Sequence, residues 1–305
     1  MSFSEPRITI GIPIFNGEKF IESKLNNILS QTFQNFEIVI YDNSNDSTPD
    51  ICKKFASNDK RIHFFHESKR SGWIQGWLKV IKMAKHEFFV LASVDDLWSL
   101  NFLEENIREL DNNPSAVASI GILEYFGISN SIIDPNNLDN KTKNNFFKNL
   151  KQKFLTHSFQ SSFEAKGSFE FKTTKILRNT WYRHHNGVIR TKELSKSIIE
   201  KDMFLWDWPI VLNLVRYGDL HITPSSKYKI FAGESNSRRG HFELFKSQKM
   251  RPFEYILPSS TFTFWCIRNI GFLFFSKNFD YFFWLNFIHF SGILNDLFRK
   301  LIFRS

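Results

Sequence analysis

Apolar residues recur at every second position from Ile8 through Ile10 and Ile12 to Ile14, a period of two that predicts a β-strand. The period then lengthens to the three-and-four spacing of a helix over residues 20–31. The same exchange repeats along the first third of the chain, with strands predicted over 37–41, 62–65 and 88–92 and helices over 49–57 and 73–84. Strands alternating with helices of this length require a mostly parallel sheet covered on both faces, because parallel neighbours need a crossover connection. Ligands of such a sheet bind outside the carboxyl ends of its strands.

Beyond that third the pattern loosens. Residues 134–175 are poor in periodicity and rich in Asn, Lys, Ser and Phe, which predicts an irregular insertion or lid. Regular spacing resumes with strands over 187–189 and 227–231 and helices over 192–200 and 208–217.

The last stretch changes character, since twelve of the 36 phenylalanines fall between Phe262 and Phe303. Phe283, Phe287, Phe290, Leu294, Leu297 and Leu301 form one apolar helix face, ending at Arg299, Lys300 and Arg304. The longest uncharged run there, 281–295, is shorter than the roughly 20 residues a spanning helix needs. Residues 255–305 are therefore expected to lie on a membrane surface. The alternative is that the stripe packs on the rest of the protein.

With 305 residues, 42% of them hydrophobic and 23% charged, the chain can bury a full core. Its net charge of +9 suits an anionic partner such as nucleic acid, an acidic membrane or a nucleotide diphosphate. Scattered basic residues without a helix-turn-helix, finger or RNA-binding motif set nucleic acid aside. Cys52 and Cys266 match no metal or redox spacing and read as reduced thiols. Residues 1–7 lack the apolar segment of a signal peptide, so a cytoplasmic location is expected.

Two strand ends carry candidate chemistry. Asp42, followed by Asn43 and Ser44, closes one apolar strand, and a single Asp there is ordinarily a turn residue or helix N-cap. Asp95 and Asp96 close another. Adjacent carboxylates repel and are comfortable mainly when well solvated or near a cation, which points to a metal. Oxygen ligands suit Mg²⁺ or Mn²⁺, with the phosphates of a nucleotide diphosphate completing the shell. Lys69 and Arg70, and later Arg238, Arg239 and His241, are within the pattern of phosphate-reaching side chains, although surface charge is their ordinary role.

Three segments together resemble glycosyltransferase family 2: residues 12–18 (Ile-Pro-Ile-Phe-Asn-Gly-Glu), 29–33 (Leu-Ser-Gln-Thr-Phe) and 36–44 (Phe-Glu-Ile-Val-Ile-Tyr-Asp-Asn-Ser). The likeness continues through Ser71-Gly72 and Asp95-Asp96, dense over 7–125 and loose over 180–240. It implies a GT-A fold, the Rossmann-like α/β fold of nucleotide-diphospho-sugar transferases with a mostly parallel mixed sheet, here followed by C-terminal aromatic amphipathic helices. It also implies a donor site at Pro13, Phe15, Asn16, Asp42, Ser71, Gly72 and Asp95, with Asp42 on the nucleotide base and Asp96 holding the metal.

An inverting transfer needs a base for the acceptor hydroxyl, and the family places an acid at the start of a late helix. Asp207, just before Pro209, is the match, although ordinary capping is its plain alternative. Trp206 and Trp208 flank it as acceptor shelves or core residues. His185 and Asn186, beside His184, fall where the resemblance puts acceptor or sugar contacts. Two departures stand out: Tyr41 and Trp206 occupy positions where many relatives carry acids.

The expected organisation is a GT-A domain over 1–240, with a nucleotide-sugar half over 1–125 and an acceptor half over 126–240, then a helical, membrane-associating extension over 241–305. The expected function is metal-assisted, inverting transfer of a sugar from a nucleotide-sugar donor, taken as a UDP-sugar, to a hydroxyl of a surface glycan or lipid-linked acceptor at the inner face of the membrane. The alternative is a non-catalytic module that binds a nucleotide sugar.

Overall fold

A computed structural model describes residues 5–69, 72–127, 163–179, 183–201, 203–231, 242, 245–246 and 250–302. β1 (Ile8–Ile14) puts its isoleucines on one face of a sheet, while Gly11 on the other face lies against Phe89 and Val80. It is thus buried on both faces, as expected of a central parallel strand. β1 pairs in parallel with β2 (Phe36–Asp42) and β4 (Phe88–Leu91), and β2 with β3 (Ile62–His66). The crossovers are α1 (Ile21–Leu29), α2 (Thr48–Asn58) and α3 (Trp73–Lys82), so each element predicted in this third is present within two residues of its expected ends.

The sheet continues across the second half in mixed orientation. With β5 (Leu97–Trp98), β6 (Ala116–Phe126), β7 (Val188–Arg190) and β8 (Asp219–Phe231), its order is β3-β2-β1-β4-β7-β6-β8-β5. β7 is antiparallel to both β4 and β6, whereas β6 and β8 run parallel. The β6–β8 register slips at Gly121, where a Cβ would stand 2.7 Å from the Ser226 backbone, so the close approach requires glycine. β6 and its preceding helix α4 (Phe102–Asn112) add to the elements the sequence pattern predicts.

The irregular stretch expected over 134–175 lies largely outside the described residues, but its end is regular. Ala165 bridges to Leu220, and Ser168 Oγ accepts from Phe171 N to start α5 (Phe169–Arg178), which buries Ile176 and Leu177. The four-residue spacing from Thr173 to Leu177 falls on a single face, and a sequence crowded with Asn and Lys hides it. Two more helices follow, α6 (Thr191–Ser197) and α7 (Asp207–Leu214).

α1, α2 and α4 cover one sheet face; α3, α7 and the C-terminal helices cover the other. Those last helices are α8 (Ser260–Asn269), α9 (Phe272–Lys277) and α10 (Phe279–Ile302). α10 is apolar nearly all round and has two faces. Tyr281, Phe282, Leu285 and Ile293 pack inward, whereas Phe283, Phe287, Leu294 and Leu301 of the stripe read from sequence are exposed. Of the same stripe, Phe290 is half-buried and Leu297 packs against the cluster of Phe204, Phe245 and Ile293, so the stripe is divided between solvent and the protein. No helix among the described residues is long and apolar enough to cross a membrane.

Candidate active site

At the carboxyl ends of β1 and β4 lies a cavity of about 200 Å³, lined by Pro13, Phe15, Asn16, Trp77, Ser93 and Asp95 among others. Its floor is tied together by short polar bonds. Asn16 adopts φ 52°, its amide donates to Ser44 Oγ at 2.7 Å, and its Oδ1 accepts from Asn45 N at 3.0 Å. Asn tolerates this left-handed conformation better than branched residues do. Pro13, Phe15 and Asn16 thus share one cavity lining.

Asp42 does not. It is fully buried, with Oδ1 accepting from Ser44 N at 2.9 Å and Oδ2 lying 2.7 Å from His66 Nδ1. In this structure its carboxylate orders the β2 end and is not presented to a base. Neighbouring Tyr41 accepts from Lys79 Nζ at 2.6 Å and donates to Glu67 Oε2 at 2.6 Å. Hydrogen bonds from Lys79 and then Tyr41 hold the Glu67 carboxyl below its ordinary range. Asn43 Nδ2 donates to the carbonyls of Glu67 and Lys69, closing the same wall. The tyrosine thus replaces an acid with a neutral group that is fully engaged. Gly72, φ 86°, starts α3 with open space at its Cβ position, so the backbone conformation alone favours glycine. Arg70, Ser71, Arg238, Arg239 and His241 lie outside the described residues.

The two adjacent acids have separate surroundings. Asp96 is buried, Oδ2 accepting from Tyr228 OH at 2.8 Å and Oδ1 from Phe231 N at 2.9 Å, which fixes the end of β8. Asp95 instead lines the cavity. Beneath them the fully buried Lys24 donates to the Asp96 carbonyl at 3.0 Å, with its Nζ 3.9 Å from the Trp98 ring centroid. Burial pushes the Lys24 ammonium down to about 7, opposed by the charges of Asp96 and Asp95. No cluster of three His, Cys, Asp or Glu able to hold a metal occurs among the described residues. A single cavity carboxylate nonetheless fits an ion held by one or two carboxylates and substrate phosphates.

A further acid lies beside His185. Asp207 begins α7 with its side chain about 28% exposed, and its Oδ2 lies 3.8 Å from Nδ1 of buried His185. Burial, then Arg183 and His184, push the His185 imidazole well below its ordinary value, so it is neutral at pH 7. The His185 ring is 5.9 Å from that of Trp77, which also lines the donor cavity. Asn186, nearly fully buried, keeps an Oδ1 with no hydrogen-bond partner. Leu205, two residues before Asp207, sits at φ 63°, a strained conformation for leucine at the turn into α7.

Trp206 and Trp208 are not shelves. Trp206 is fully buried with Nε1 donating to Ile199 O at 2.9 Å, and Trp208 packs against Phe262 at 5.4 Å and Tyr281 at 6.4 Å. An apolar core surrounds both, which leaves neither ring face to a ligand. The accessible indole is Trp73, 42% exposed, standing 5.6 Å from Trp77 and 6.1 Å from Trp206. The sequence signal for it is the four-residue spacing of Trp73 and Trp77 just after Gly72.

Solved structures share this fold. Staphylococcus aureus TarS superposes with a TM-score of 0.55 at 16% identity, covering 79% of this chain and 38% of TarS. The mannosyltransferase PcManGT of Pyrobaculum calidifontis, solved with GDP-Man and Mn²⁺, gives 0.51 at 17%, covering 80% and 61%. The class is therefore an α/β protein of the GT-A type. The family description Glycosyl transferase family 2 matches residues 9–169, and the chain belongs to that family. Glycosyltransferase GlyG of Streptococcus pneumoniae is 32% identical over 108 residues, 34% of this chain and 36% of GlyG. The putative teichuronic acid biosynthesis glycosyltransferase TuaG of Bacillus subtilis is 25% identical over 118 residues, 38% of this chain and 47% of TuaG. The chain thus matches less than half the length of these two relatives.

Proposed function

We propose that the chain transfers a sugar from a nucleotide-diphosphate donor to an acceptor hydroxyl with inversion, Asp207 acting as base and Asp95 holding a divalent cation. The observation that supports this reading is that Asp95 and Trp77 line one cavity, while the Trp77 ring lies 5.9 Å from that of His185, whose Nδ1 is 3.8 Å from Asp207 Oδ2. The cation, Mg²⁺ or Mn²⁺, supplies neutralisation of charge on the departing diphosphate. Asp207 takes the acceptor proton as the acceptor oxygen bonds to the anomeric carbon and the bond from that carbon to the diphosphate breaks. Neutral His185, 3.8 Å away, adds no charge that would lower the carboxylate's basicity. Asp96 is reassigned from metal ligand to a support of the β8 end, since Tyr228 and Phe231 already engage both of its oxygens.

UDP is the proposed nucleotide, supported by TarS having been solved with UDP-GlcNAc. The test is the melting temperature with UDP and with GDP, each with and without Mn²⁺. A shift that needs both one nucleotide and the metal is expected, because binding to the native state raises stability. No shift with either nucleotide overturns the donor site. Binding without any turnover marks a non-catalytic module instead.

The acceptor belongs to a surface glycan or a lipid carrier, and the protein works at the inner face of a membrane. Phe264, Phe272, Phe279 and Phe283 are 66%, 67%, 58% and 56% exposed, and the rings of Phe272, Phe275 and Phe279 touch in succession at 5.9 and 5.7 Å. Every acid of the described C-terminal helices is held by the protein: Glu254 by Arg251 N and Thr261, Asp280 by Arg178, Asp296 by Phe242 N. Exposed Arg268 shares α8 with Phe264, and exposed Lys277, paired with Glu170, shares α9 with Phe272; basic residues on the same helices as exposed phenylalanines favour an anionic bilayer as the occupant. The chain is expected to sediment with vesicles containing phosphatidylglycerol, and Phe279→Asp/Phe283→Asp to lose at least about tenfold in bound fraction. Equal sedimentation of the double variant overturns the seat, and so does a concentration-dependent dimer that the variant abolishes.

A further inference from the structure

The donor cavity and Asp207 leave one feature of the site without a role: an indole held in place but left open to solvent. Trp73 is fixed edge-on against Trp77 and Trp206, with centroids 5.6 and 6.1 Å away and interplanar angles of 87° and 84°. Trp77 faces the donor cavity, and Trp206 is the residue before Asp207. Trp73 thus contacts both a residue that lines the cavity and the residue that precedes the proposed base. A single exposed aromatic on a surface needs no explanation. This one packs edge-on against two further tryptophans, one of which lines the cavity, and keeps an apolar plane open to solvent.

We infer that Trp73 is the platform of an acceptor subsite and that the group seated on it is a sugar ring. The inference rests on the transferase reading above and names its acceptor class. A pyranose presents an apolar face of C–H bonds and a rim of hydroxyls, so stacking on a fixed indole leaves its hydroxyls directed sideways. An alkyl chain would be satisfied by the plane but has no hydroxyl to offer. A serine or threonine hydroxyl would reach the base without using the plane. An open indole packed against Trp206, the residue that precedes the proposed base, suits a ring that has both surfaces. Trp206 and Trp208 cannot serve, because both are buried.

The test uses the full chain with Mn²⁺ and the nucleotide that shifts its melting temperature, and saturation-transfer NMR with methyl glycosides of glucose, galactose and N-acetylglucosamine at millimolar concentration. At least one glycoside is expected to receive saturation at its ring C–H protons, and glycerol and a serine-containing peptide are not. Trp73→Ala is expected to weaken that glycoside's binding about tenfold, and Trp73→Phe to restore most of it, while nucleotide affinity stays unchanged in both. No saturation of any glycoside while the nucleotide still binds overturns the sugar platform and leaves the donor reading intact. Unaltered glycoside binding in Trp73→Ala removes Trp73 from the subsite. Loss of nucleotide binding in the unaltered chain overturns the transferase reading itself.

Discussion

Asp95→Ala is expected to lower metal-dependent transfer about a thousandfold and to change folding stability by less than about 1 kcal/mol. Its carboxylate lines the donor cavity, so its loss removes a ligand from the cation without opening the core. Asp96→Ala should behave in the opposite sense. The Tyr228 hydroxyl and the Phe231 amide lose their acceptor; Tyr228 is fully buried, and each such loss costs about 1–3 kcal/mol. Urea unfolding of both variants, with initial rates measured on the folded fraction across a Mn²⁺ titration, separates the two. An Asp96→Ala protein of full stability that no longer responds to Mn²⁺ would return the metal to Asp96.

The second large effect concerns Asp207. Asp207→Asn preserves the shape of the side chain and its place at the start of α7, yet cannot accept a proton at neutral pH. The turnover number is expected to fall about 10²–10⁴-fold, with donor affinity within a factor of about two of the unaltered protein. Separate measurements of nucleotide binding and of transfer provide the check. A variant that keeps full turnover shows Asp207 to be a helix cap and no more. A protein that loses donor binding in parallel shows that the substitution disturbs the wall shared with Trp77.

The amino-acid pattern exposes those parts of the molecule that depend on near neighbours. β1 to β4 and their crossovers repeat a local exchange of periods, and the carboxyl ends of β1 and β4 carry Asn16, Asp95 and Asp96 whatever the rest of the chain does. Which of two adjacent acids faces a ligand is decided elsewhere, by Tyr228 and the amide of Phe231 more than 130 positions downstream. Asp42 is withdrawn by His66, 24 residues away on the neighbouring strand. The tryptophans follow the same logic. Trp206 flanks Asp207 in sequence but is enclosed by the core, and Trp73 reaches Trp206 from α3, more than 130 positions upstream. In α10 a nearly continuous apolar surface makes several stripes equally visible, so only the contacts of Phe282 and Leu285 with the core select the buried one.

The antiparallel strand β7 joins two halves that a single crossover pattern would have left apart. It pairs with β4 on one side and β6 on the other, and Gly187 at its start lies so close to Ser119 O that a Cβ would stand 2.4 Å away. The end of β4 that carries Asp95 and the segment that carries His185 are therefore referred to one rigid frame. On the transferase reading, folding alone sets the protein groups on the two sides in register, so binding has only the substrates' own freedom left to remove.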